Sequence, residues 1–171
     1  MQKIIKITIL IIFVFIIGTF FISLNKSANY NTEFLIGKKI SKINLEYFNE
    51  KKIYNEEDLK KNDYTLINFW ASWCSPCRDE HSLLVDLSKE KKLILLGVNF
   101  KDKKKQAEKF LDELGNPYDF LTKDLYGKQS VELGIYGIPE SILVNNELVI
   151  LKKFIGPLSS KDFESIIEII N

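Results

Sequence analysis

The chain has 171 residues, 46% of them hydrophobic and 27% charged, with 24 basic and 23 acidic side chains and a formal net charge of +1. That length favours one globular domain around one core, and the near-neutral charge excludes the basic footprint expected of a nucleic-acid-binding protein. Its two cysteines, Cys74 and Cys77, are too few and too close together to staple a small secreted scaffold.

The averages conceal two unlike parts. Ile7 to Leu24 is a run of 18 uncharged, almost wholly apolar residues, about the minimum that spans ~30 Å of hydrocarbon as a helix. Lys3 and Lys6 precede it, so the positive-inside tendency keeps the N-terminus cytoplasmic and exports the rest of the chain. The exit, FFISLNKSAN, offers no convincing small-x-small site, so an uncleaved anchor is expected over a cleaved signal peptide. The expected division is an anchor over 1–24, a linker over 25–33 and a folded domain over 34–171. Without Lys3 and Lys6, the remainder carries 22 basic and 23 acidic residues.

FLIGKKISKINLEYFNEKKIY alternates in short runs, as an edge hairpin would. Asn55 followed by Glu56, Glu57 and Asp58 predicts a capped short helix. YTLINFW is a continuous apolar run, the pattern of a central strand buried on both faces. It ends at ASWCSPC, and a helix is predicted from Pro76 to about Glu90 with Leu83, Leu84 and Leu87 on one face. KLILLGVNF repeats the buried-strand pattern. A charged helix comes next over Asp102 to Leu114, with Ala107, Phe110, Leu111 and Leu114 as its apolar stripe. Gly115, Asn116 and Pro117 stop it, and a loop with Tyr118, Phe120 and Leu121 leads to a short helix ending near Leu133. PESILV and ELVILKKF read as two strands around an Asn145-Asn146 turn, and Ser159 starts a terminal helix. The order predicts an α/β domain, a central sheet with helices on both sides.

Cys74 and Cys77 close a strand and open a helix. There the first sulfur faces unused backbone N–H groups, which stabilise its thiolate as a nucleophile, while the second, one turn further in, can resolve a mixed disulfide. Pro76 suits the first turn because its missing N–H is one the helix does not use. Zinc is disfavoured because Cys74, Cys77 and His81 have no fourth Cys or His. Haem attachment is excluded because Arg78 comes directly after the second cysteine. A purely structural disulfide across so short a loop would add little stability.

The string NFWASWCSPC is similar to the thioredoxin superfamily. WASWCSPCRDEH, GVNFKD, ELGNPY and YGIPE, in this order, resemble the membrane-anchored thiol:disulfide interchange proteins of cytochrome c maturation, the DsbE/CcmG type, with TlpA- and ResA-like proteins as close neighbours. The resemblance runs from about Leu35 to near the C-terminus. It implies a thioredoxin-like mixed sheet and a redox-active Cys74–Cys77 pair with no other cofactor. It also implies that Pro139 is a cis-proline facing the cysteines, where backbone groups could bind an extended substrate. Asn68 stands where thioredoxins carry a buried acid, so proton transfer from Cys77 needs another group. Glu80 and Glu140 match the acidic residues of the family's groove. If both are near the sulfurs, their charge disfavours the thiolate and makes the protein a reductant.

Trp73, beside Cys74, is expected to shape the site and Trp70 to lie in the core. His81 is expected to be solvent-facing or partly packed, and Lys101 to Lys105 to be a solvated helix start. The implied client is the CxxCH pair of apocytochrome c or another disulfide-containing protein, and the implied electron source is a CcdA- or DsbD-type membrane protein. A general or differently dedicated TlpA/ResA-like reductase is the same-class alternative, and an apocytochrome-binding holdase with secondary redox activity the alternative from another class.

Overall fold

The computed structural model describes residues 2–24, 33–40 and 42–171. The chain divides into two units, residues 1–31 and 32–171. In the first, α1 (Gln2–Leu24) is a single helix, and its stretch Gln2–Ile22 is long and apolar enough to cross a membrane.

The second unit contains β1 (Asn44–Tyr47), β2 (Ile53–Asn55), α2 (Glu56–Leu59), β3 (Tyr64–Trp70), α3 (Ser75–Asp79), α4 (His81–Leu87) and β4 (Leu93–Phe100). After these come α5 (Lys104–Leu114), β5 (Phe120–Asp124), α6 (Lys128–Glu132), β6 (Glu140–Asn145), β7 (Ile150–Ile155) and α7 (Ser160–Ile170). The strands form one seven-stranded mixed sheet in the order β2-β1-β5-β4-β3-β6-β7. β3, β4 and β5 run parallel, β6 and β7 antiparallel to their neighbours, and β1 pairs antiparallel with both β2 and β5. The alternating stretch before β2 is not strand throughout. Glu33–Leu35 is a 3-10 turn, and Lys39 makes an isolated bridge to Val149.

The apolar runs of β3 and β4 put alternate side chains into two cores. Leu66, Trp70 and Leu95 pack with Leu84, Leu87, Phe110 and Ile166, so α4, α5 and α7 cover one face, which also holds Cys74 and Cys77. Ile67, Phe69, Leu96 and Val98 pack on the other with Tyr54, Leu59, Leu133 and Ile142. Caps fix the helix starts: Asn55 and Ser159 each form a capping box, with Asp58 and Asp162 respectively.

Three elements depart from expectation. The loop expected around Phe120 is β5, paired to both β4 and β1. The Pro76–Glu90 helix breaks at Glu80, whose N–H reaches the Pro76 carbonyl at a stretched 3.4 Å. The β6–β7 turn extends past Asn146 to Leu148, which takes φ +66° while its N–H donates to the Asn145 carbonyl.

Candidate active site

β3 ends at Trp70, and Cys74 is the N-cap of α3. Cys74 and Cys77 are joined in a disulfide with Cα atoms 5.4 Å apart, and both are buried, 5% and 2% exposed. The Cys77 N–H donates to Cys74 Sγ at 3.2 Å. In the reduced pair, a backbone donor held there favours a thiolate on Cys74. Pro76 stands in the first turn, where no N–H is needed.

Asp102 holds the loop before Cys74. Its carboxylate accepts from the Ser72 N–H (2.6 Å), the Ser72 hydroxyl (2.8 Å), the Asn99 amide (3.1 Å) and the Lys103 N–H (2.7 Å). Buried at the end of β4, Asp102 is therefore not part of a solvated helix start. Trp73 is exposed, and its Nε1–H donates to the Lys101 carbonyl at 3.2 Å. Trp70 is buried in the core.

A buried polar network joins β3, β6 and Glu80 at the end of α3. Asn68, buried in β3, donates its amide to Glu80 Oε1 (2.8 Å) and Ser141 Oγ (2.9 Å), and its oxygen accepts from the Tyr118 hydroxyl (2.8 Å). The second Glu80 oxygen accepts from the Leu158 N–H at 2.8 Å. Burial pushes the Glu80 carboxyl up to about 7, against these two hydrogen bonds, which pull it down. Burial, and then the Glu80 charge, raise the Tyr118 hydroxyl well above its ordinary value. Sequence reasoning missed Tyr118. The signal was Gly97, because a Cβ there would lie 2.6 Å from the Tyr118 ring.

Glu140 does not join this network. In the β3–β6 ladder Ser141 faces Asn68 and Glu140 faces Phe69, so Glu140 lies on the opposite side of the sheet from the cysteine core. Its Oε2 meets Lys153 Nζ at 2.8 Å, with both side chains buried. Its Oε1 accepts from the N–H groups of Tyr136 (3.1 Å) and Gly137 (2.9 Å). The Glu140 carboxylate, named with Glu80 as a candidate acid of the groove, is thus paired with Lys153 and clamps the loop before Pro139. The Ile138–Pro139 bond is cis, and the Pro139 carbonyl accepts from the Gly156 N–H at 3.0 Å.

His81 is also corrected, because it is buried rather than solvent-facing. Its Nε2 donates to the Gly115 carbonyl at 2.9 Å and its ring packs edge-on against Phe110; burial lowers its pKa below the usual value. Among the described residues no cluster of His, Cys, Asp or Glu could hold a metal ion.

Residues 36–169 match the Redoxin family. The chain is similar to the thiol:disulfide interchange protein CycY of Rhizobium leguminosarum, at 48% identity over 57% of this chain and 52% of that one. It is similar to the thiol:disulfide interchange protein HelX of Rhodobacter capsulatus, at 39% identity over 73% of this chain and 70% of that one. The match thus spans about half of the first relative's length. Among solved structures, a Chlorobium tepidum protein assigned as thiol:disulfide interchange protein DsbE superposes with a TM-score of 0.66 at 25% identity, covering 78% of this chain and 93% of that one.

Proposed function

The chain belongs to the Redoxin family, among thioredoxin-like thiol:disulfide oxidoreductases, and from that premise we propose that it is a membrane-anchored reductant of disulfides in other proteins, with Cys74 attacking and Cys77 resolving. In the reduced form, the Cys74 thiolate attacks one client sulfur. An intermolecular disulfide forms, and the second client sulfur leaves as a thiolate and takes up a proton. Cys77 then loses its proton and attacks Cys74 Sγ, the mixed disulfide breaks, and the Cys74–Cys77 bond re-forms. The client departs as a dithiol, having gained two electrons from the cysteine pair and two protons, one released by Cys77 and one taken from the medium.

The observation that carries this reading is the Cys74–Cys77 pair at the start of α3, with the Cys77 N–H on Cys74 Sγ and, three residues after Cys77, a buried carboxyl, Glu80, whose pKa burial raises to about 7. Protons can therefore be exchanged at the pH where the thiols work. Once ionised, Glu80 also disfavours a neighbouring thiolate, destabilising the reduced pair and pushing electrons outward, by about 30 mV for each 1.4 kcal/mol. Trp73 and Pro76 shape the loop, and Asn68 orients Glu80. On the far side, the loop closed by Pro139 offers the Ile138 backbone to an extended client.

Such a reductant, facing an oxidising compartment on its N-terminal anchor, needs electrons delivered through the membrane. A CcdA- or DsbD-type donor and an apocytochrome c client with a CxxCH pair fit that requirement. Cys77→Ala tests the reading in cells, because it leaves the mixed disulfide on Cys74 unresolved. Recovery of an apocytochrome c on Cys74 supports it, recovery of assorted exported proteins makes the chain a general reductase, and the absence of any Cys74-linked protein overturns it.

A further inference from the structure

At the end of the sheet where β3, β4 and β5 finish, the chain presents a rigid turn whose two central side chains the fold does not require. Asp124 to Gly127 close it, with the Gly127 N–H donating to the Asp124 carbonyl at 3.2 Å. The Asp124 carboxylate accepts from the Lys128 N–H, the Ser130 N–H and the Ser130 hydroxyl at 2.8 to 3.1 Å. Gly127 sits at φ +70°, so close to the end of β4 that a Cβ would lie 2.5 Å from the Lys101 side chain. Asp at the first position and Gly at the last satisfy such a turn, and the two central positions accept most residues. Here they are Leu125 and Tyr126, 50% and 85% exposed.

The turn is tied to the reactive loop through one residue. Lys101 donates its N–H to the Asp124 carbonyl at 3.1 Å, and its carbonyl accepts from Trp73 Nε1 at 3.2 Å. Trp73, itself exposed, adjoins Cys74. Trp73, Leu125 and Tyr126 thus stand as a strip of three exposed apolar side chains whose backbones are joined through Lys101.

Resting on the reading of the chain as a protein-disulfide reductase, we propose that Leu125 and Tyr126, with Trp73, bind apolar side chains flanking the disulfide of an unfolded, extended polypeptide. The strip's size decides the class of occupant. Three side chains can bury a few hundred Å² at most, far below the ~1,200 Å² that specific folded complexes use, but suited to a short segment held next to its cysteine. Fixing the turn through Asp124 and Gly127 removes most of the ordering cost of binding, and tyrosine has few torsions to freeze.

The test compares the reduced full-length chain in lipid nanodiscs with a Leu125→Ser/Tyr126→Ser variant. Its substrates are two disulfide peptides, one with Leu and Phe flanking the cysteines and one with Ser there, and glutathione disulfide. The expected result is about a 10-fold lower second-order rate for the variant on the apolar peptide, the scale of one buried apolar side chain, with the other two rates unchanged. Equal wild-type rates on both peptides, or a loss shared by all three substrates, overturns the proposal. Cross-linking between copies that the variant abolishes would assign the strip to self-association and overturn it as well. A wild-type chain that reduces neither peptide fails the underlying reductase reading, an outcome distinct from all of these.

Discussion

Lys153 Nζ and Glu140 Oε2 meet at 2.8 Å inside the protein, across the sheet from the cysteines. Lys153 also donates to the Gly134 carbonyl, so the two residues hold both ends of the loop that leads to Pro139. Losing one member leaves the other charge buried and uncompensated.

Lys153→Met is expected to destabilise the fold by about 3 to 5 kcal/mol in urea unfolding. Glu140→Gln, which keeps an acceptor for the Tyr136 and Gly137 N–H groups, is expected to cost less and to leave the thiol titration of Cys74 at the wild-type value. A Cys74 pKa lowered by Glu140→Gln would return Glu140 to the cysteine environment.

Glu80 gives the oxidised protein a signed pH dependence. Its carboxyl is raised from an ordinary 4.5 to about 7 in the folded state, so folding favours the protonated form. No penalty exists below pH 4.5. It builds as pH rises through the window up to about 7 and is complete above it, on the order of 3 kcal/mol. In Glu80→Gln that slope disappears. Because Gln cannot accept from both Asn68 and Leu158, a constant offset remains. Unfolding free energies at pH 5, 6, 7 and 8 decide the matter: a difference between the two proteins that does not change with pH removes Glu80 as the titrating group.

The same substitution, read in the reduced protein, is expected to lower the Cys74 pKa and to erase any step near pH 7 in the rate of disulfide reduction. An unchanged thiol titration would separate Glu80 from the sulfurs.

Asp102→Ala removes the acceptor for Ser72, Asn99 and Lys103 at once. The expected cost is about 3 kcal/mol, because buried donors lose their partner. It is accompanied by faster amide exchange at Ser72 and greater mobility of Trp73, read by fluorescence anisotropy.

Gly97→Ala would place a methyl group 2.6 Å from the Tyr118 ring. The ring must move, at a cost of about 1 to 3 kcal/mol, and its hydroxyl leaves Asn68. The urea midpoint reports the first effect, and the changed stacking of Tyr118 on Trp70, 5.7 Å apart, is readable in tryptophan emission.

Much of this was legible because it is local. β3 and β4 are continuous apolar runs, Asn55 and Ser159 are trailed by the acids that complete their caps, and Cys74 and Cys77 straddle a strand-to-helix junction. The rest depends on partners distant in sequence. FLTKD of β5 looks polar because Lys123 finds Glu46 and Asp124 turns inward to Ser130. Lys153 reads as surface in LVILKKF until Glu140, diagonal to it in the β6–β7 ladder, takes up its charge. Asp102 looks like one charge among lysines, yet its acceptors are filled by a loop 30 residues earlier. Glu80 breaks its helix because its carboxylate is anchored inward to Asn68 and Leu158, a bond pattern no helical periodicity records.

The near-complete burial of the disulfide governs what can take part in the exchange. Cys74 leaves 5% of its surface open and Cys77 still less, and exchange proceeds by direct sulfur-on-sulfur attack, so its rate depends on access. A sulfur packed inside a finished, rigid protein cannot be brought into that opening. One carried on a protruding, loosely held stretch of chain can. The shallow opening therefore works as a mechanical sieve that sorts disulfides by how far they can be lent out of their own fold.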